Sequence, residues 1–310
     1  MRTRPLRIQE RKPLVRGQLR GEAMMMKNCM ICGESKFRKR GMVAACFLLE
    51  CRACGLQFLD PFPDPAVLHD RYDHYYDAWG IDQAGGVVPE MKRATFRRYL
   101  ERLRPFAAQG TLLDVGCATG ELMATARERG FDVYGAEIAP DGIARCRELF
   151  GTERIVGKQL QQGDFPEQYF DVITLSDVLE HFPDPLGSLD MLGRMLKPGG
   201  HVMIVTPDTS SWTRKVSGAK WPHYKEDHLY YFSRSNLAKM MSGRFDVLVA
   251  ERAYKTLTLN YVAGVVQGYR DRGLARMLAR FIQHLPVSWR TPLFSVHIGE
   301  MFVLLKKRPE

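Results

Sequence analysis

Four of the seven cysteines fall into two knuckles, Cys29-x-x-Cys32-Gly33 and Cys51-x-x-Cys54-Gly55, with eighteen residues between Cys32 and Cys51. Two such turns bring four thiolates to the corners of a tetrahedron, which suits Zn²⁺, and a four-cysteine set leaves no open position for water or substrate. The expected metal is therefore structural. A redox Cys-x-x-Cys is the competing reading, but it normally comes singly beside a βαβ unit. Cys46, Cys117 and Cys146 lie outside the ligand pattern and read as small buried apolar residues. A second chemical group is the stretch TLLDVGCATG, Thr111 to Gly120, followed by the acid Glu137. Thr111 to Val115 reads as a buried strand and Glu121 to Arg129 as the helix after it, with Gly116 and Gly120 bracketing the turn between. A turn that feeds a helix N-terminus is a ligand cradle. A dinucleotide fingerprint would need glycines at 116, 118 and 121, where this chain has Gly116, Ala118 and Glu121. The cradle thus suits a ligand without phosphates. The third group is WPHYKEDHLYYF, Trp221 to Phe232, which packs His223, Tyr224, Glu226, Asp227, His228, Tyr230 and Tyr231 together. Here His228 is the candidate general base, oriented by Asp227 or Glu226, with capping of the helix at Ser233 or packing in a lid as the alternative.

The elements that must position these groups alternate. Pro89 opens a helix with Met91, Phe96, Tyr99, Leu100 and Leu103 on an apolar stripe. Strands are expected at 111–116, 132–138, 153–157, 170–177, 200–206, 245–251 and 301–306, with helical patterns between most of them. That alternation implies an α/β fold, a doubly wound, mostly parallel seven-stranded sheet with helices on both faces. Met42 to Glu50 is expected to be one strand of a small N-terminal zinc ribbon.

The pattern Asp114-x-Gly116-x-x-x-Gly120 resembles motif I of the class I S-adenosylmethionine (SAM) methyltransferases. FDVITLSD with VLEHF, and LKPGG before HVMIVTPD, match the later motifs of that family in order and spacing. The resemblance covers Met91 to about Pro207. It implies a Rossmann-like fold whose last strand is antiparallel, and SAM as cofactor. It also implies that Asp114, Gly116, Cys117, Ala118 and Gly120 form the cradle, with Glu137 and Ile138 at the ribose. Gln159 and Leu160 stand at the adenine positions, and glutamine replaces the acid the family commonly has there. Ser176 and His181 fall where acceptor and sulfonium meet, and His181 reads equally as a helix-entry residue. The run Asp227, His228, Leu229, Tyr231, Phe232, Ser233 resembles a stretch of small-molecule methyltransferases, including zinc-bearing sugar C-methyltransferases. Those enzymes carry a glutamate where Asp227 stands, and Tyr224 sits one position further from the histidine. The implied catalytic set is His228, Asp227, Glu226 and Tyr224. The expected acceptor is a hydroxyl or carbon of a sugar, nucleotide sugar or lipid-linked glycan precursor. An RNA base methyltransferase reading RNA through the ribbon is the alternative.

Composition sets the frame around this reading. The chain has 310 residues with 45% hydrophobic and 26% charged content, ordinary for a soluble protein with one large domain and a small one. Half of the formal net charge of +10 lies in residues 1–23. This leader, 1–26, reads as disordered, with Met24 to Met26 marking an alternative start and an RNA-binding arm as the functional alternative. No apolar run reaches the roughly 18–20 residues that span a bilayer, and the first residues lack a signal-like apolar core, so the expected location is the cytoplasm. The ribbon is expected at 27–60, a linker with the aromatic segment Tyr72 to Trp79 at 61–89, and the SAM domain at 90–310 with a helical insert at 257–298. Within the insert Val262, Val265, Val266, Tyr269, Leu274, Met277, Leu278, Phe281, Ile282 and Leu285 follow helical spacing, while Arg270, Arg272, Arg276 and Arg280 crowd the other face. Such a stripe covers a core or a dimer contact, or lies in an anionic membrane interface at 262–285. The oligomeric state is open.

Overall fold

The computed structural model describes residues 26–64, 87–267 and 273–309. The leader up to residue 25, the Tyr72–Trp79 segment, and Arg270 and Arg272 lie outside these. The main sheet has seven strands: β4 (Gly110–Val115), β5 (Phe131–Ala136), β6 (Ile155–Val156), β7 (Phe170–Ser176), β8 (Leu196–Pro207), β10 (Phe245–Arg252) and β13 (Glu300–Lys307), in the order β10-β13-β8-β7-β4-β5-β6. Leu112 and Leu113, Val172 and Ile173, and Val202 to Val205 are buried as continuous runs. Runs of that kind are what a parallel sheet covered on both faces requires. One face is covered by α1 (Val87–Leu103), α2 (Glu121–Arg127) and α3 (Pro140–Phe150), with Tyr99, Leu103, Leu122 and Phe150 in one core cluster. The other carries α4 (Pro185–Met195) and α6 (Arg234–Met241), with Leu189, Leu192, Leu237 and Met240 in a second. β13 runs antiparallel between β8 and β10, as the resemblance implied.

β4 pairs in parallel with β5 on one side and β7 on the other. The chain therefore reverses its winding between β4 and β7, and the crevice at their C-terminal ends is where such sheets bind ligands. The glycine turn leaves β4 there, and Asp177 to Phe182 leaves β7.

The cysteine-bearing module is an antiparallel sheet of β1 (Phe37–Val43), β2 (Cys46–Cys51) and β3 (Gln57–Asp60). The stretch Met42 to Glu50 is thus not one strand. It turns at Ala44, whose φ of 49° closes a hairpin. A fourth strand, β9 (Tyr230–Tyr231), comes from the main domain and pairs with β3. After β8 come α5 (Trp212–Ser217) and the 221–232 segment. The insert consists of β11 (Lys255–Leu257), α7 (Leu259–Gln267), α8 (Gly273–His284), α9 (Val287–Arg290) and β12 (Phe294–Val296), closed where β11 pairs with β12.

Candidate functional site

The turn after β4 holds three positive-φ residues, Gly116, Ala118 and Gly120. Gly116 is required by space as well as φ, because a Cβ there would lie 2.5 Å from Val178 Cγ2. The turn and the VLEHF segment therefore touch. Glu137 fastens the cradle: Oε2 accepts from the Ala118 N–H at 2.7 Å, and Oε1 accepts from the Ile138 and Ala139 N–H groups at 2.7 and 2.8 Å. Two donors satisfy Oε1, which leaves Oε2 with acceptor capacity toward a ligand hydroxyl. Ile138 stays exposed beside it, an apolar surface that a flat base would cover. Gln159 is exposed and Leu160 half-buried in the loop after β6, where Asp164 pairs with Lys158.

Asp114 is buried at the end of β4. Burial, with Glu137 and Glu121 nearby, pushes its carboxyl up to about 7, although Thr174 Oγ1 donates to it at 2.6 Å. Lys92 lies 3.6 Å from Glu121. Buried negative charge around a turn fits a ligand that brings positive charge, as the sulfonium and ammonium of SAM do, and opposes a pyrophosphate. Cys117 and Cys146 are buried with their sulfurs 3.7 Å apart, and Cys46 is buried too, in keeping with their apolar reading.

Facing the cradle, the residues after β7 meet the 221–232 segment. Ser176 ends β7, and His181 follows in a single helical turn, Leu179–His181. The His181 and His228 rings stand edge to face with centroids 4.8 Å apart. Burial pushes both imidazoles below the ordinary histidine range, His228 strongly, helped by His181 and Lys225. Both are therefore neutral near pH 7, able to accept a proton or bind a metal ion. The backbone of Asp227 hydrogen-bonds His181. The Tyr224 hydroxyl donates to Gln57 Oε1 at 2.7 Å and accepts from Arg214 Nε at 3.2 Å, which places it in the wall toward the cysteine-bearing sheet. Glu226 is half-buried on the same segment.

Sequence reasoning missed an acidic layer beneath these histidines. Glu180 is fully buried; burial and Asp177 push it up to about 8, and its Oε2 accepts from Thr206. Glu180, His181 and His228 offer one ligand atom each, all within 4.8 Å of one another, and Glu180 Oε1 and His228 Nδ1 have no hydrogen-bond partner. Lys255 bridges Asp177 at 3.0 Å and Glu300 at 2.7 Å. Burial opposes that cation, but the two carboxylates outweigh it and hold its pKa well above the usual lysine range. Glu180 had a local signal in VLEHF beside His181. Lys255 and Glu300 had none.

The four cysteine thiols also meet: Cys29 and Cys54 lie 3.5 Å apart, as do Cys32 and Cys51, and all four sulfurs fall within 4.8 Å. Gly33 and Gly55 have φ of 73° and 74° and donate to the Cys29 and Cys51 carbonyls, giving two matching knuckles. A tetrahedral ion with sulfur at about 2.3 Å needs sulfur separations of this order, so the donor set fits zinc.

Comparison with known proteins agrees with this geometry. The methyltransferase-domain family matches residues 90–244. A ubiquinone biosynthesis O-methyltransferase of Aliivibrio fischeri (strain MJ11) is 33% identical over 190 residues, covering 57% of this chain and 81% of the relative. One from Dechloromonas aromatica is 30% identical over 168 residues, covering 49% and 72%. A methyltransferase solved with the Trm112 methyltransferase activator of Haloferax volcanii superposes with a TM-score of 0.50 at 14% identity, covering 78% of this chain and 98% of that one; this likeness is one of fold. The charged cradle, the sheet order and these relatives lead to one assignment: the chain belongs to the class I SAM-dependent methyltransferases.

Proposed function

We propose that this methyltransferase acts on a hydroxyl of a small-molecule acceptor, with His228 as the group that takes the hydroxyl proton. The observation that carries this is the neutral His181–His228 pair, His228 buried and His181 half-buried, at the C-terminal end of β7, across the crevice from the cradle. SAM, when bound, supplies a methyl already activated on its sulfonium. The protein's part is to hold the acceptor oxygen in line with it, exclude water and accept one proton. Positioning provides most of the rate, and a base about 10²–10⁴-fold. Asp114, Gly116, Cys117, Ala118, Gly120, Glu137 and Ile138 hold the cofactor, with Gln159 and Leu160 at the base and Ser176 and His181 toward the methyl. Asp227 and Glu226 shape the His228 loop, and Tyr224 ties it to the ribbon. Cys29, Cys32, Cys51 and Cys54 hold one structural Zn²⁺.

The relatives' O-methylation favours an oxygen over a carbon acceptor. A screen with labelled SAM against phenols, sugars, nucleotide sugars and lipid-linked glycan precursors, beside a total-RNA arm, tests the reading. Label entering a small-molecule hydroxyl supports it. Label entering RNA alone would establish the RNA base methyltransferase instead.

A second reading has its own observation, the ligand-distance cluster of Glu180, His181 and His228. A divalent cation there would hold the acceptor oxygen and lower its pKa, making His228 a ligand rather than a base. Activity lost to a chelator that leaves the four-cysteine metal in place, and restored by Mn²⁺ or another divalent ion that imidazole ligates, would select this version.

A further inference from the structure

We propose that α8 and α9 form a docking face that seats the protein on an anionic lipid surface. Met277 and Phe281, one turn apart on α8, are 64% and 61% exposed, and Val287 and Trp289 on α9 are 61% and 67% exposed. Scattered exposed apolar residues are ordinary. Four large ones within residues 277–289, followed by exposed Leu293, are a denser concentration than scatter gives. The helical spacing of the insert placed Met277 and Phe281 on its apolar stripe, yet the protein leaves both in solvent.

Charge identifies the partner. Arg280 is exposed beside Phe281, and Arg290 follows Trp289. From Gly273 to Phe294 the sequence has Arg276, Arg280 and Arg290 and no acid. A second ridge repeats the pattern: α5 exposes Trp212 and Val216 together with Lys215, and no acid occurs between Trp212 and Lys220. Both ridges grow from the acceptor end of the sheet. α5 follows the C-terminal end of β8, the insert returns to Glu300 at the start of β13, and Gly299 packs against Thr213 of α5.

Apolar side chains interleaved with arginine suit a lipid interface, where the former enter the acyl boundary and the latter reach the phosphates. An interface with a second copy would be depleted of charge at its centre. Met277 and Val287 suit acyl chains and not bases, while RNA stacking on Phe281 and Trp289 is the competing outcome that the test below separates. Among the described residues no helix is long and apolar enough to cross a membrane, so the contact is peripheral. Docking in this pose presents the crevice to acceptors carried in the bilayer; that consequence rests on the small-molecule reading above, whereas the docking does not.

The test is co-sedimentation of the full chain with phosphatidylcholine vesicles, with and without phosphatidylglycerol. The expected result is retention on the anionic vesicles, weakened by salt and reduced at least about tenfold in Phe281→Asp/Trp289→Asp. Unchanged SAM affinity and melting temperature would show that this variant folds. Because Phe281 and Trp289 are not among the residues assigned to the cofactor or the proton step, turnover of a water-soluble acceptor should survive the substitutions. If that turnover is present and retention absent, docking fails and the catalytic reading stands; if retention is present and no acceptor is methylated, the reverse holds. No retention on anionic vesicles, retention untouched by the double substitution, or loss of vesicle binding to competing RNA would each overturn the docking proposal.

Discussion

The Leu59 N–H donates to the Leu229 carbonyl at 3.0 Å, and the Leu229 N–H donates in turn to the Glu180 carbonyl at 2.8 Å. One hydrogen-bonded line therefore runs from the cysteine-bearing sheet, past His228, to the residue before His181. Side chains reinforce it. Tyr224 donates to Gln57, and Gln57 donates to Glu50, which also pairs with Arg38 and Arg40. Cys29, Cys51, Leu56 and Phe58 share a core cluster with Leu229, Tyr230 and Phe232. The ribbon is thus the frame on which the 221–232 segment hangs.

This frame makes zinc testable on the acceptor side. The purified protein is expected to carry one tightly held Zn²⁺, an ion that contributes about 10–16 kcal/mol to folding in comparable peptides. Cys51→Ser should lose it, accelerate amide exchange at Leu59 and Leu229, and lower turnover, while SAM affinity at the β4–β5 cradle changes little. Metal analysis without zinc would contradict the assignment. Unaltered exchange at Leu229 would contradict the coupling.

Gly116 gives a second prediction, on the cofactor side. Its φ of 70° is unfavourable for alanine, and the added Cβ would strike Val178. Gly116→Ala should cost about 1–3 kcal/mol in stability or in SAM binding. Calorimetry and a thermal melt together measure that sum, and a variant matching wild type in both would show that the turn relaxes freely.

The glycine turn and the sheet were legible in the sequence because their signals are local. Asp114, Gly116 and Gly120 lie within one turn, and apolar runs such as Val202–Val205 declare a strand covered on both faces. The layer of Asp177, Lys255 and Glu300 was not legible. Its members are 45 or more positions apart in the chain, and only the sheet order, with β13 beside β8, brings them together. The β3–β9 pairing was hidden for the same reason, since Tyr230–Tyr231 is too short to announce a strand. Helical spacing correctly grouped Met277 with Phe281 on one face but carries no information on what covers that face.

Asp114 predicts how SAM binding follows pH. Its carboxyl, raised to about 7 by burial and by Glu137 and Glu121, is largely protonated below that pH and ionised above it. The ionised form is the one that balances a cationic ligand. SAM affinity should therefore weaken as pH falls below 7, by at most about tenfold per pH unit for one linked proton. Asp114→Asn should bind more weakly at pH 8 and lose most of this dependence. An equally steep profile in Asp114→Asn would assign the titration to another group.

His228 carries the sharpest prediction, because its ring is buried, neutral and set against His181 where β7 ends. If it accepts the acceptor's proton, His228→Asn should lower turnover by about 10²–10⁴-fold with SAM affinity near wild type. Asparagine keeps the size and polarity of the site but has no basic nitrogen. The deficit should shrink as pH rises, since hydroxide partly replaces the missing base and the acceptor hydroxyl ionises on its own. A variant with near-normal turnover would move the proton acceptance to His181. One that loses SAM affinity as well would mark the 221–232 segment as a structural lid, with the ribbon holding a wall instead of a catalytic group.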